Sequence, residues 1–292
     1  MDKAAGLPAR YRVTSGEGFR LADHATDDLG GLDLGKRDGE ALLAQGVKRL
    51  AEDQDKLYAQ DRWAVLCIFQ AMDAAGKDGA IKHVFSGVNP QGCHVTSFKA
   101  PNAAELDHDF LWRHAVALPA RGQIGIHNRS WYEEVLVARV HHAVLERQKL
   151  PPRVVTKRIW EERLEDIAAF ERYLARQGVV VLKFFLNIGR EEQRKRFLSR
   201  IEEPEKNWKF EAGDVAERAH WDTYMAAYEA AIRATAAPHA PWYVVPADRK
   251  WFTRLVVSAA LAETLEGLDL SYPAVTEAQR AALMQARAAL GA

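Results

Sequence analysis

Residues 70–85, QAMDAAGKDGAIKHVF, have the residue types of a loop that binds phosphate. They depart from the pattern G-x-x-x-x-G-K-[ST] at two positions, because Ala71 stands at the first glycine and Asp78 at the final hydroxyl. Gly76 would let backbone amides approach an anion, and Lys77 would place a positive charge on a transferable phosphoryl group. A glycine that serves only the turn after a strand is the alternative.

Two acidic residues in this loop point to metal chemistry. A carboxylate beside a phosphate repels it unless a divalent cation lies between them, so Asp73 and Asp78 indicate Mg²⁺ ligands or helix caps. Asp73 is the better metal candidate, since Asp78 falls at a helix start, where it can cap the helix. The loop has no Ser or Thr at the position that binds the metal in ordinary ATPases, which argues against a standard P-loop ATPase.

A second polar cluster, NRSWYEE, begins at Asn128, directly after the apolar run QIGIH. Polar groups just past the carboxyl ends of parallel strands converge on a ligand crevice, so this cluster should face the glycine loop. Arg129 can donate two hydrogen bonds to phosphate oxygens, and Glu133 can bind or orient a metal. In the alternative interpretation Asn128 and Ser130 cap the following helix, and Glu133 interacts with the dipole of its first turn.

A basic segment over residues 189–210, GREEQRKRFLSRIEEPEKNWKF, carries five cations on one predicted helix: Arg190, Arg194, Lys195, Arg196 and Arg200. Phe197, Leu198 and Ile201 would form the apolar side of this helix. Guanidinium groups near a phosphate loop suit a phosphoryl-transfer lid, because they neutralise charge on the oxygens of the migrating group. The alternative is a solvated helix face whose glutamates pair with its arginines.

Five short apolar runs predict the strands that would position these clusters: WAVLCIF (63–69), HVTSF (94–98), QIGIH (123–127), VVVLKFFL (179–186) and WYVVP (242–246). Helical spacing of apolar residues predicts an amphipathic helix over residues 36–62, a helix directly after the glycine loop, and a third through Leu164, Ile167, Phe170 and Leu174. Alternating strands and helices indicate an α/β domain with a doubly wound, mostly parallel sheet of about five strands, flanked by helices. Residues 1–35 are predicted to form an irregular N-terminal arm and residues 271–292 a helical tail, which leaves residues 36–270 as a single domain.

The composition of the 292 residues excludes several classes of protein. Forty basic residues balance forty acidic ones, so no global field attracts the chain to nucleic acid or to a membrane. Two cysteines rule out a disulfide framework and fit a reducing compartment. The N-terminus lacks the apolar core of a signal peptide, and no segment approaches the roughly 18 apolar residues of a membrane helix. We therefore predict a soluble, cytoplasmic protein without a nucleic-acid or membrane partner.

Taken together, these segments resemble the polyphosphate kinase 2 family. The resemblance is carried by QAMDAAGKDG, NPQGC, NRSWYEEVLVARVH, RKRFLSRIEEPEKNWKF, WDTYMAAYEAAI and APWYVVPADRKWF, which follow one another in family order over about residues 36–270. It implies a P-loop kinase fold similar to that of thymidylate kinase, with a helical lid at about residues 188–215. It also implies that inorganic polyphosphate donates its terminal phosphoryl group to a nucleotide in the presence of Mg²⁺, with Mn²⁺ as the alternative ion. A dimer or tetramer is a further expectation from the family.

The resemblance also implies roles for individual residues. Asp73, Lys77, Arg129 and Glu133 would be catalytic, with Asp73 and Glu133 holding the metal. Phosphate groups would be bound by the loop and lid residues Ala74, Ala75, Gly76, Asp78, Gly79, Lys82, Arg194, Lys195 and Arg200. Nucleotide contacts would come from Asn128, Ser130 and Lys209.

The acceptor nucleotide is predicted from the cluster after the third apolar run. The ADP-phosphorylating type resembles FDRSWYN, with Asp where this chain has Asn128 and Asn where it has Glu133. The arrangement here resembles the class III type, which phosphorylates AMP and ADP to make ADP and ATP. Alternatives are an enzyme that phosphorylates ADP only, an ATP-dependent nucleotide kinase on the same fold, and a non-catalytic polyanion-binding protein. His127 stands where the family pattern leads us to expect Phe.

Overall fold

The computed structural model describes residues 6–291, which are built around one six-stranded sheet. The strands are β1 (Arg12–Val13), β2 (Ala64–Ala71), β3 (Cys93–Ser97), β4 (Ile124–Asn128), β5 (Val179–Asn187) and β6 (Trp242–Pro246). Their spatial order is β1-β6-β5-β2-β4-β3, and every neighbouring pair is parallel except β1 with β6. The wholly buried strand β2 therefore lies between β5 and β4.

The five predicted strands are all present, each within two residues of its expected bounds. The sheet has one strand more than predicted, because residues of the N-terminal segment add β1 to its edge. Arg12 lies opposite Tyr243 and Val13 opposite Trp242 in this short antiparallel pair. Two residues are too few to show a period in the sequence, so only the pairing with β6 defines this strand.

Helices flank the sheet. They are α1 (Lys36–Gln60), α2 (Lys77–Val84), α3 (Trp112–Ala115), α4 (Val137–Val140), α5 (His142–Glu146), α6 (Ile159–Arg176), α7 (Arg190–Glu202), α8 (Ala212–Glu217), α9 (Trp221–Thr235), α10 (Lys250–Glu266) and α11 (Glu277–Ala289). The three helices predicted from apolar spacing are α1, α2 and α6, and the predicted basic helix is α7. Helix α1 packs against α10, which also contacts α2 and β6, while α6 packs against α9 and β5. None of the helices within residues 6–291 is both long enough and apolar enough to cross a membrane.

The described part of the segment before α1 is mostly irregular but is anchored to the domain. Two short 3₁₀ turns, Pro8–Arg10 and Leu21–Asp23, flank β1 and the loop after it. Its apolar side chains Leu7, Tyr11, Phe19 and Leu21 are buried in the core. At the other end, α11 is exposed along its whole length and begins with a capping box between Thr276 and Gln279.

The two cysteine thiols should be unreactive in the folded protein. Burial raises the pKa of Cys67 well above its ordinary value and raises the pKa of Cys93 to about 11. Because the thiolate is the reactive form, we expect neither thiol to react with a colorimetric disulfide reagent at mildly alkaline pH, and both to react in concentrated guanidinium chloride. Rapid reaction of either thiol without denaturant would contradict the burial seen here.

Candidate active site

The glycine loop and the polar cluster after β4 meet at one edge of the sheet. Phe69 of β2 lies opposite Asn128 of β4, and the Arg129 N–H donates to the Phe69 carbonyl (3.1 Å). The two polar segments therefore leave the sheet side by side at the carboxyl ends of parallel strands, which is where ligands bind in open α/β sheets. The predicted convergence of the two clusters is confirmed.

The glycine loop turns tightly onto the start of α2. Ala74 and Gly76 have positive φ angles of 61° and 107°. Gly76 adopts this conformation freely, whereas a residue with a Cβ atom in it costs roughly 1 kcal/mol or more. Gly76 directly precedes α2, and the N–H groups of the first turn, including those of Asp78 and Gly79, have no acceptor within the helix. This geometry suits an anion at the end of the helix.

Arg196 of α7 binds backbone carbonyl groups of the glycine loop. Its guanidinium donates to the carbonyls of Ala74 (3.1 Å), Ala75 (2.8 Å), Ala247 (2.7 Å) and Asp248 (3.1 Å). The Ala75 N–H also donates, to the Met72 carbonyl (3.2 Å). The predicted phosphate contact of Ala75 therefore does not fit, because both of its backbone groups already have partners and its side chain is buried.

Lys77 lies in the first turn of α2, with Nζ donating to the Ala71 carbonyl across the loop (3.0 Å). Burial lowers the pKa of its ammonium group, and the Asp73 carboxylate opposes this shift. The Glu133 carboxylate acts in the same direction as Asp73, and the Arg129 guanidinium acts against them. The four predicted catalytic residues are thus close enough to interact as one electrostatic group.

Arg129 joins the two carboxylates that the sequence predicts as metal ligands. Its Nη2 lies 3.3 Å from Asp73 Oδ1, and its Nη1 lies 3.6 Å from Glu133 Oε2. The Glu133 carboxylate is the main cause of the raised pKa of Arg129. Arg129 has a positive φ of 69°, and strained backbone of this kind concentrates at functional sites. Its side chain is 42% exposed, so a ligand can reach the guanidinium.

Asp78 does not cap α2. The N-cap residue is Gly76, and Asp78 Oδ1 accepts a hydrogen bond from Asn128 Nδ2 instead (2.7 Å). This contact ties the start of α2 to the end of β4. Asp78 and Asn128 thus form a polar pair beside the four predicted catalytic residues. The nucleotide contact predicted for Asn128 would be made at this pair.

Comparison with proteins of known sequence and structure shows to which family the chain belongs. A sequence model of the family "Polyphosphate kinase 2 (PPK2)" matches residues 33–272. The chain belongs to the polyphosphate kinase 2 family. The family predicted from the motifs is confirmed, and so is the predicted P-loop kinase-like fold with its mostly parallel sheet.

Curated relatives within the polyphosphate kinase 2 family differ in the acceptor that their names state. The "ADP-polyphosphate phosphotransferase" of Rhodopseudomonas palustris is 54% identical over 247 residues, which cover 84% of this chain and 86% of the relative. The "AMP/ADP-polyphosphate phosphotransferase" of Meiothermus ruber is 45% identical over 264 residues, which cover 90% of this chain and 95% of the relative. The crystal structure of polyphosphate kinase 2 from Arthrobacter aurescens TC1 matches with a TM-score of 0.86 and 42% identity, covering 95% of this chain and 96% of that one.

The segment predicted as the lid of this polyphosphate kinase 2 consists of α7, a 3₁₀ turn over Pro204–Lys209, and α8. Arg200 joins these elements, since it donates to Asp214 Oδ2 in α8 (3.1 Å) and to the Lys209 carbonyl (3.2 Å). Burial raises the pKa of Asp214, and the Asp73 carboxylate adds to this rise. Helix α8 therefore lies near the glycine loop, and Arg200 is joined to that helix through Asp214.

Three remaining predicted phosphate contacts, Lys82, Arg194 and Lys195, lie on the surface, and so does Lys209, which was predicted to contact the nucleotide. Arg194 pairs with Glu191 (3.0 Å), and Lys82, Lys195 and Lys209 are exposed. The Lys209 ammonium lies over the ring of the exposed Trp208 at 4.9 Å from its centroid. The structure leaves these four cations outside the hydrogen-bonded group around Arg129.

The predicted apolar side of α7 is partly wrong. Phe197 is buried as predicted, but Leu198 and Ile201 are 39% and 49% exposed. Its buried side consists of Gln193, Arg196 and Phe197. Gln193 Nε2 donates to the Asp73 carbonyl (2.9 Å), so this side packs on the glycine loop through polar groups.

Ser130 has a structural role, and its buried side chain does not fit the predicted contact with the nucleotide. Its side chain is fully buried, and its hydroxyl donates to Gln70 Oε1 (3.2 Å). Ser130 Oγ also accepts from the Tyr132 N–H (3.3 Å), and this hydrogen bond caps the 3₁₀ turn Trp131–Glu134. The capping alternative considered for Ser130 is therefore confirmed.

His127, the departure from the family pattern, is buried at the end of β4. Its Nε2 lies 3.1 Å from the Ala117 carbonyl, and its ring packs edge-on against Phe98 and Trp131. Burial lowers its pKa to about 4. The residue is therefore neutral at physiological pH and fills the space of an aromatic side chain.

The oxygen ligands at the site fit a hard divalent cation whose remaining ligands would be phosphate oxygens of the substrates. Asp73 and Glu133 keep 32% and 15% of their side-chain surface exposed and face the same guanidinium. Within residues 6–291 no three His, Cys, Asp or Glu side chains are arranged to hold a metal by themselves. Mg²⁺ is commonly held by one or two carboxylates together with substrate phosphates and water. Asp73 and Glu133 would therefore hold such an ion only in company with substrate.

Three polar residues that shape the site were not among the residues predicted to act there: Gln70, Gln193 and Arg196. A signal for Gln70 was present, because it is the one strongly polar residue in the otherwise apolar strand β2. A signal for the other two was their spacing of three residues, which places them on one face of α7 with Phe197.

Proposed function

We propose that this chain transfers the terminal phosphoryl group of inorganic polyphosphate to AMP and to ADP, forming ADP and ATP. One observation carries the proposal: Asp73 and Glu133 both contact Arg129, and Lys77 of the glycine loop interacts with all three. Two cationic and two anionic side chains thereby share one edge of the sheet. A reaction between two polyanions assisted by a divalent cation needs this combination.

The proposed reaction depends on positioning and charge neutralisation. The attacking oxygen of a nucleotide phosphate is already ionised at neutral pH, so no residue has to remove a proton from it. Lys77 and the first-turn N–H groups of α2 would bind the last phosphoryl group of the donor. Arg129 would exchange its carboxylate contacts for two hydrogen bonds to oxygens of the migrating group. Arg200 would add charge from the lid.

Kinases of this family generally depend on a divalent metal ion. We assign Mg²⁺ to this role, with Mn²⁺ as the alternative, and Asp73 and Glu133 as the residues that would hold it. Such an ion would supply positive charge that neutralises phosphate oxygens of the substrates. The two carboxylates would then face a cation in place of Arg129.

Glu133 supports the choice of both AMP and ADP as acceptors. The ADP-phosphorylating type, which FDRSWYN represents, has a carboxylate at the position of Asn128 and an amide at that of Glu133. Here the carboxylate lies about one helical turn further along, where it contacts Arg129. A metal ion held there would be displaced toward a shorter acceptor, which is the reason we give for the use of AMP. A cytoplasmic location and a dimer or tetramer stay predictions.

The acceptor range is tested by supplying AMP and ADP separately, each with polyphosphate and Mg²⁺ but without ATP, and resolving the products by chromatography. We expect ADP from AMP and ATP from ADP. Product from ADP alone would support the ADP-only alternative. Product only when ATP replaces polyphosphate would support an ATP-dependent nucleotide kinase. Steeply salt-dependent polyphosphate binding without turnover would indicate the non-catalytic alternative.

A further inference from the structure

We propose that Gln70 is a positioning residue, which holds the Glu133 carboxylate in the orientation that the reaction uses. The inference rests on the proposed function, because it requires Glu133 to act at the reaction centre. Gln70 is the second-last residue of β2, and its side chain is fully buried. A buried amide without partners costs free energy, so its contacts decide why a glutamine occupies this position.

The direction of the Gln70 amide is fixed by the Glu133 carboxylate. A carboxylate oxygen can only accept, so Gln70 Nε2 faces Glu133 and donates to its Oε1 (2.8 Å). This leaves Gln70 Oε1 to face Ser130, whose hydroxyl donates to it (3.2 Å). The Ser130 Oγ in turn accepts from the Tyr132 N–H (3.3 Å).

The two carboxylate oxygens of Glu133 therefore have different partners. Gln70 occupies Oε1, while Oε2 faces Arg129 Nη1 at 3.6 Å. Without Gln70, the carboxylate would be free to turn and pair with Arg129 through both oxygens, as Arg and carboxylate groups readily do. Such a closed pair would withdraw both side chains from the substrates. The hydrogen bond from Gln70 thus keeps one carboxylate oxygen and the Arg129 guanidinium available.

The test is the full-length Gln70→Met variant, which keeps the side-chain length and removes both hydrogen-bonding groups. We expect its affinity for Mn²⁺ in the presence of ADP, measured by electron paramagnetic resonance of the free ion, to fall about tenfold or more. ATP formation at subsaturating metal should fall in parallel.

The matched control is Gln54→Met. Gln54 is also a buried glutamine, and its Oε1 accepts from the Asn89 N–H (3.3 Å), but it lies on α1. This variant tests the loss of a buried amide as such, and we expect unchanged Mn²⁺ affinity.

An unchanged Mn²⁺ affinity in Gln70→Met, or a loss no larger than in Gln54→Met, would overturn the proposal. If Gln70→Met does not fold, Ser130→Ala removes the donor to Gln70 Oε1 and thereby loosens the amide that holds Glu133. A smaller loss of affinity in the same direction supports the proposal, and no loss overturns it. The measurement does not use turnover, so a wild-type protein without polyphosphate-dependent activity would defeat the proposed function and leave this test intact.

Discussion

Lys77→Met should reduce polyphosphate-dependent ATP formation by roughly a hundredfold to a thousandfold, because it removes a fixed positive charge from the place where phosphoryl charge develops. The Lys77 ammonium now donates to the Ala71 carbonyl, a neutral partner that a donor phosphate can replace. Met has a similar length and no charge. ATP formed from ADP and polyphosphate is measured by luminescence, alongside the circular dichroism spectrum of the variant.

Lys48→Met is the control for this substitution, since Lys48 is an exposed lysine on α1. We expect wild-type turnover for the control and a native spectrum for both variants. Asp73→Asn, which removes a charge from the same group and keeps the shape of the side chain, should be similarly inactive. Near-normal turnover of Lys77→Met with a native spectrum would remove Lys77 from the mechanism.

The sheet was largely predictable from the sequence because strands β2, β4, β5 and β6 are mostly buried. A strand such as β2 shows as a continuous apolar run, and its end is marked by the glycine-bearing loop that follows. Strand β1 lacks such a signal. It consists of one exposed and one half-buried residue, and only the free edge of β6 makes it a strand.

The chemistry of the site was predictable by residue type, and its contacts were not. The pattern of the glycine loop identified Asp73 and Lys77, and the strand order brought Arg129 beside them, as parallel topology requires. Ser130 belongs to the same polar cluster, yet its hydroxyl points into the protein. A sequence shows that a hydroxyl is available, but whether it faces the ligand or the backbone depends on the turn that it caps.

The basic helix α7 is a second case in which the residue types did not predict the contacts. Leu198 and Ile201 lie three residues apart, which predicts a buried face, while Arg196 reads as one cation among several. In the structure Arg196 is buried and both apolar residues are exposed. Arg196 is buried because the Ala74 and Ala75 carbonyl groups of the glycine loop face α7 and need hydrogen-bond donors. This requirement arises from the loop's tertiary position, and the spacing of Gln193 and Arg196 along α7 does not by itself reveal it.

A buried ion pair lies beneath the turn that carries Glu133. Lys183 of β5 and Glu171 of α6 are both completely buried and in contact. Glu171 Oε1 also accepts hydrogen bonds from the Tyr132 hydroxyl (2.7 Å) and from Trp131 Nε1 (3.2 Å). One carboxylate thus satisfies donors from a strand and from the two residues directly before Glu133.

Glu171→Ala should lower the free energy of unfolding by about 3–5 kcal/mol, because it leaves the Lys183 ammonium buried without its counterion and Trp131 Nε1 without its acceptor. Burial already lowers the pKa of Lys183, and the Glu171 carboxylate is what opposes that shift. The loss corresponds to a fall in melting temperature of roughly 10 °C for a domain of this size. Urea and thermal unfolding, followed by circular dichroism, measure both quantities.

Glu165→Ala provides a matched comparison on the same helix. Glu165 pairs with Arg158 at 3.5 Å, and both side chains are about 70% exposed, so its loss should cost no more than about 1 kcal/mol. Equal stability of the two variants would show that the buried pair contributes no more than a surface pair. The double variant Glu171→Leu with Lys183→Met should lose less stability than Glu171→Ala, since neither charge is then left buried alone. In the double variant the Tyr132 hydroxyl can still donate to Thr235 Oγ1 (2.8 Å), but Trp131 Nε1 remains unsatisfied. Its stability should therefore still lie below that of the wild type, and the difference measures what the Glu171 carboxylate contributes to the turn before Glu133.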